Sequence, residues 1–140
     1  MIAYLDTSAI VPLLVDEVGT ERARAHWLAA DRLVTIRLAH VEARAALAQA
    51  MRSGRITAAQ HRSSVSKLPP LFDQVEFVEV DEALVRIAGD VAEARALHAY
   101  DAVHLAAALR AHDPDLVFVA GDAALLAAAA EEGLMTGPTS

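Results

Sequence analysis

The chain contains no cysteine, which excludes disulfide staples, thiolate catalysis and cysteine-bound zinc. That absence fits a reducing cytoplasm, the compartment expected here. Lysine is nearly missing as well: Lys67 is the only one, and the other eleven cations are arginines. Charges interrupt every apolar stretch before it reaches the length of a membrane span. The opening run Met1–Leu5 meets Asp6 at once, too short and without the basic leader of a signal peptide. There is no internal repeat, no glycine-rich phosphate loop and no His-Glu-x-x-His pair. Any phosphate chemistry would therefore have to be carried by a metal.

What is present is enough for one domain: 140 residues, 55% of them apolar, sufficient to build a core without staples. The net charge of −7 argues against a simple nucleic-acid binder, which usually carries a basic excess. The argument weakens if several acids sit together to hold cations.

The apolar run Ile2–Leu5, stopped by Asp6-Thr7-Ser8, reads as a buried strand, and Asp6 or Ser8 can cap a short helix through Leu14. A second helix spans Glu21–Ala30 and a second strand Leu33–Ile36. A long helix over Leu38–Arg52 stops at Ser53-Gly54. Thr57 starts a helix that runs to about Lys67 and is ended by Pro69-Pro70. Val75–Val80 reads as a strand, and Asp81 caps a helix to about Leu97. His98-Ala99-Tyr100 is a break, with a new helix beginning at Asp101 and running to about Ala111. Leu116–Val119 is a strand, and Asp122 opens the last helix. Gly133-Leu134 leads to a short strand or loop, and residues 137–140 are expected to be a flexible tail on a single domain of residues 1–136. Strands alternating with helices predict an α/β fold, three layers with a short parallel sheet between helices. In such sheets ligands bind beyond the carboxyl ends of the strands. Asp6 and Asp122 are both placed there.

Four acids stand out. Asp6 and Asp122 each read as a helix cap or as a group at the sheet's rim. Glu42 shares a helical stripe with Leu38, Val41 and Ala45, which turns it toward the core's edge. A carboxylate there needs a positive partner; Arg37 and Arg44 are near in sequence but project elsewhere on the helix. Asp101 shares a stripe with Leu105 and Ala108, and its plain alternative is capping. Clustered carboxylates repel one another and take up protons unless a cation joins them. Magnesium takes oxygen ligands in octahedral geometry and keeps several waters, and a pair of such ions can hold both oxygens of a phosphodiester displacement.

These residues carry a resemblance. Asp6-Thr7-Ser8 after the first strand, the inward Glu42, the block Tyr100-Asp101-Ala102-Val103-His104-Leu105-Ala106 and the segment Val119–Leu125 look like a bacterial PIN domain of the VapC toxin type. The likeness runs from Ile2 to Leu134, and the Tyr-Asp-Ala-x-His-Leu-Ala block is its most specific part. The resemblance implies a Mg2+- or Mn2+-dependent ribonuclease that leaves a 5′-phosphate and a 3′-hydroxyl. Its metal ligands would be Asp6, Asp101 and Asp122, with Glu42 completing the acidic pocket. It also implies a homodimer and a small antitoxin that blocks the pocket and binds operator DNA. Ala120 departs from the pattern, which often has serine or threonine there as a support for the last aspartate.

Other readings stay beside this one. His104, one helical turn from Asp101, either hydrogen-bonds near the site or packs. Ser8 either caps or acts through water on the site. Arg44, Arg52 and Arg55 either meet RNA phosphates or form a solvated helix face. An aspartyl-nucleophile phosphatase would need a second aspartate where Ser8 stands. A catalytically weak PIN-like module that binds RNA or protein is the alternative to a nuclease; Glu42 or Asp122 turned away from the other acids would favour it.

Overall fold

In the computed structural model, which describes all 140 residues, strand β1 (Ile2–Leu5) is buried at nearly every atom. Its neighbours on both sides are parallel strands, β2 (Arg32–Ile36) and β4 (Leu116–Ala120). A strand covered on both faces has no reason to alternate polar and apolar residues, which is why Ile-Ala-Tyr-Leu is continuously non-charged. The outer strands are β3 (Glu76–Val78) and β5 (Met135–Pro138), giving a parallel sheet in the order β3-β2-β1-β4-β5. Helices α1 (Thr7–Leu14), α2 (Thr20–Ala29), α3 (Ala39–Arg52) and α4 (Ala58–Phe72) pack as one group, and α5 (Glu82–Arg95), α6 (Ala99–Arg110) and α7 (Ala123–Glu131) as the other. The chain winds outward through β2 and β3, then returns to β4 on the far side of β1. The direction of winding therefore reverses between β1 and β4, the place where open α/β sheets bind ligands. The three-layer α/β architecture expected from the sequence is the one found.

The long helix α3 buries Ala39, Ala43, Leu47 and Ala50. That stripe is displaced from the expected one: Val41 is 55% exposed, and Glu42 is half-buried at the margin. Three boundaries also differ from expectation. Pro69-Pro70 does not end α4, which continues to Phe72. The two prolines remove two backbone donors from the last turn, but Leu68 and Phe72 are anchored in the core, and Asp73 N closes the end on Pro69 O at 3.0 Å. Helix α6 begins at Ala99 with His98 as its N-cap residue, so Asp101 lies inside the first turn and does not cap. Residues 137–140 are no loose tail: Gly137 and Pro138 belong to β5, Thr139 is 2% exposed, and its N–H donates to Ala120 O at 3.0 Å.

One backbone position is strained. Helix α5 ends on Ala96 at φ 53°, ψ 44°, the left-handed region that costs an L-residue with a Cβ about 1–2 kcal/mol. The equivalent positions after α3 and α7 are Gly54 and Gly133, which adopt it freely. Ala96→Gly is expected to raise the melting temperature by about 2–4 °C, since Ala96 is exposed and loses no packing. An unchanged or lowered value in thermal denaturation would show that the turn is not strained.

Candidate active site

Asp6 leaves β1 and caps α1. Ser8 N–H donates to its Oδ2 at 3.1 Å and Ser8 Oγ to the same oxygen at 2.5 Å. Its own N–H donates to Val119 O at 3.0 Å, tying the residue to β4. The Ser8 hydroxyl also accepts from Gly121 N–H at 2.8 Å, so one serine joins the β1–α1 and β4–α7 turns. It thus braces the turn before Asp122, the support that Ala120 lacks the hydroxyl to give. Asp6 is 6% exposed, and capping consumes only Oδ2. Oδ1 stands 3.5 Å from His104 Nε2.

His104 is the residue that sequence reasoning left undecided, and it lies at the centre. It is buried; Nδ1 is 3.0 Å from Tyr4 Oη, and Nε2 is 2.8 Å from Glu42 Oε1 and 3.3 Å from Thr7 Oγ1. Burial alone lowers its pKa, but the hydrogen bond to Glu42 and the charges of Asp6, Glu42 and Asp101 more than offset this and raise it. The partner of Glu42 is thus a histidine and not an arginine, with its pKa raised by that contact. Burial, with the charges of Asp6 and Glu42, pushes the Tyr4 phenol well above its usual range. Tyr4 therefore stays neutral and can accept from Nδ1–H. The helical spacing of His104 from Asp101 was the one signal available in the sequence.

Asp101, freed from capping, is half-buried, and its carboxylate makes no hydrogen bond within the chain. Burial raises its pKa, and the charges of Asp6 and Asp122 raise it further against the opposing pull of His104 and His98. Asp122 is exposed and caps α7, accepting from Leu125 N–H through Oδ1 at 3.0 Å. Asp6, Asp101 and Asp122 thus share one field at the carboxyl end of β1 and β4, and Glu42 joins them through His104.

None of the four acids is paired with an arginine. Several arginines are engaged elsewhere: Arg37 with Glu79 and Arg110 with Asp81, while Arg32 holds Glu76 and Arg95 holds Glu131 and Glu132; Arg44 is exposed on α3. Nor do three carboxylate or imidazole side chains converge into a preformed ion cage. Asp6 and Asp122 are each held by a cap hydrogen bond, and Asp101 lies within the field of both.

Two outcomes follow from this balance. Removing the Asp101 charge relieves repulsion and breaks no hydrogen bond, so Asp101→Asn is expected to melt about 1–3 °C higher than wild type in EDTA at neutral pH; a lower melting point would mark Asp101 as structural. His104, whose folded pKa is raised above about 6.5, contributes stability that is complete below the unfolded value and is lost as pH rises through the folded one. Melting temperature in EDTA is therefore expected to fall as pH rises above about 6.5 in wild type and to fall less in His104→Gln. Parallel profiles would show that the imidazole bears no charge in the folded protein.

Comparisons with known proteins identify the family. The PIN domain model matches residues 3–130. Ribonuclease VapC45 of Mycobacterium tuberculosis (strain CDC 1551 / Oshkosh) is 36% identical over 137 residues, covering 98% of this chain and 95% of the relative. Among solved structures, FitAcB from Neisseria gonorrhoeae superposes with a TM-score of 0.73 at 17% identity, covering 99% of this chain and 98% of that one. VapBC-5 from Mycobacterium tuberculosis, a member of the VapBC family of toxin–antitoxin systems, gives 0.61 at 19% identity, with 98% of each chain covered. With the sheet reversal, the acids at its mouth and a near full-length match all in agreement, the chain belongs to the PIN-domain family, among relatives of the VapC type.

Proposed function

We propose that the protein is a divalent-cation-dependent ribonuclease toxin whose centre is Asp6, Glu42, Asp101 and Asp122, neutralised by a separate antitoxin chain. The observation that carries the reading is Asp101, a half-buried carboxylate lying in the field of Asp6 and Asp122 with no cation or hydrogen bond of its own to balance it. A site that crowds negative charge at a cost to folding is one that expects a positive ligand. The name of the relative, Ribonuclease VapC45, supports RNA as substrate, and the VapBC neighbour supports an antitoxin partner. A homodimer working in the cytoplasm is part of the same proposal; no helix is long and apolar enough to cross a membrane.

The donors are carboxylate oxygens, which suit Mg2+ or Mn2+. Asp6, Asp101 and Asp122 would hold the ion, with Glu42 completing the pocket. When bound, the ion supplies the positive charge against which a phosphodiester can be hydrolysed to a 5′-phosphate and a 3′-hydroxyl. The chain's own residues prepare the place. Ser8 fixes Asp6 against the turn that leads to Asp122. His104 orients Glu42 and is itself held by Tyr4. The alternative, a catalytically weak module that binds RNA or protein, has one observation in its favour, the absence of a preformed cage.

Cleavage of single-stranded RNA separates the two. Activity is expected with Mg2+ or Mn2+, to vanish in EDTA and to return on readdition. Asp101→Asn is expected to lower kcat by more than about a hundredfold, beyond the usual cost of losing an outer-sphere partner, without lowering the melting temperature. Wild-type chain that binds RNA with metal present but never cuts it would establish the weak module. Activity that persists through exhaustive chelation would remove the metal from the mechanism.

A further inference from the structure

Beside Asp122 an open cleft of about 500 Å³ lies between the α1–α2 loop and the carboxyl-terminal segment, within the roughly 300–1,000 Å³ of small-molecule sites. Ser8, Gly121 and Asp122 form its inner wall, so it is continuous with the acidic centre; Glu17, Val18 and Thr139 form the rest. Three features make it a shaped site and not a gap between loops. Thr139 is 2% exposed, yet its hydroxyl has no hydrogen-bond partner in the chain and opens into the cleft. The walls behind it are closed by two glycines: a methyl at Gly121 would come within 3.0 Å of Thr139 Oγ1 and one at Gly19 within 3.1 Å of Thr139 O. The segment is held in place by the Thr139 N–H bond to Ala120 O and by Ser140 Oγ, which donates to Gly121 O at 3.0 Å.

The lining decides the ligand. Its only charged side chains are Glu17 and Asp122, so a phosphate is repelled. Ionised carboxylates accept hydrogen bonds and donate none, while the Thr139 hydroxyl does both; that of Ser8 is already committed to Asp6 and Gly121. A neutral group rich in N–H or O–H donors fits, and the exposed side chain of Val18 (94%) offers an apolar face at the rim. Resting on the ribonuclease reading above, we infer that this cleft is the subsite for the nucleoside adjoining the scissile phosphate, and that Glu17 and Thr139 favour a base with an exocyclic amine. The phosphate would lie over the acids and the base beside them, in a pocket whose electrostatics suit only the base.

Cytidine and uridine test this, because they differ by an amine in place of a carbonyl at C4. In EDTA, with ¹⁵N-labelled full-length chain, cytidine is expected to shift the amides of Gly19, Gly121 and Thr139 saturably. Uridine should bind about tenfold more weakly, the scale of one net hydrogen bond. Glu17→Ala, at an exposed loop position, and Thr139→Val, which keeps the shape and removes the hydroxyl, should each weaken cytidine binding about tenfold. No saturable shift at these amides, or equal affinity for both nucleosides in wild type and variants, would overturn the inference. Because no metal and no cleavage are involved, a chain that cuts RNA but ignores cytidine sinks the subsite alone, and one that binds cytidine but never cuts RNA sinks the nuclease alone.

Discussion

A single buried imidazole holds the charge balance on which the catalytic end of this molecule depends. His104 reaches Glu42 with one nitrogen and Tyr4 with the other, and Asp6 lies just beyond hydrogen-bond range. It partly neutralises carboxylates that would otherwise repel. Asp101 and Asp122 make no hydrogen bond to it, and burial together with the charges of Asp6 and Asp122 raises the proton affinity of Asp101 despite the opposing pull of His104 and His98. The site is therefore electrostatically unfinished on the side facing solvent and finished on the side facing the core.

The distribution of arginine supports the same division. The salt bridges of Arg32, Arg37, Arg86, Arg95 and Arg110 are formed with Glu and Asp residues on the outer surfaces. These are exposed or half-exposed pairs of the kind that contribute little to stability. The net charge, which weighed against nucleic acid when read as one number, is in part the charge of the four acids of the candidate site.

Much of this was legible in the sequence because it follows from local rules. The buried strand Ile2–Leu5, the caps at Asp81 and Asp122 and the α/β alternation needed only periodicity and capping chemistry. The failures have physical causes of other kinds. The Pro69-Pro70 stop was overridden by the burial of Leu68 and Phe72, a tertiary effect no local rule weighs. The helix start at Ala99 rather than Asp101 lacked a capping side chain to announce it. His104 was undecidable because its partners Tyr4 and Glu42 lie 100 and 62 residues away. The carboxyl-terminal residues looked like a frayed end by composition, and only the pairing of β5 with β4 shows why they are ordered.

The central pairing has a consequence for how the molecule comes into being. Ile2 aligns with Leu116 and Leu5 with Val119, so β1 pairs with a strand far away along the chain. Joining parallel strands so distant along the chain is a late, slow event. A nascent fragment consequently holds Asp6 and Glu42 long before Asp122 can be set beside them. The two turns that carry Asp6 and Asp122 come together only when β1 and β4 have joined.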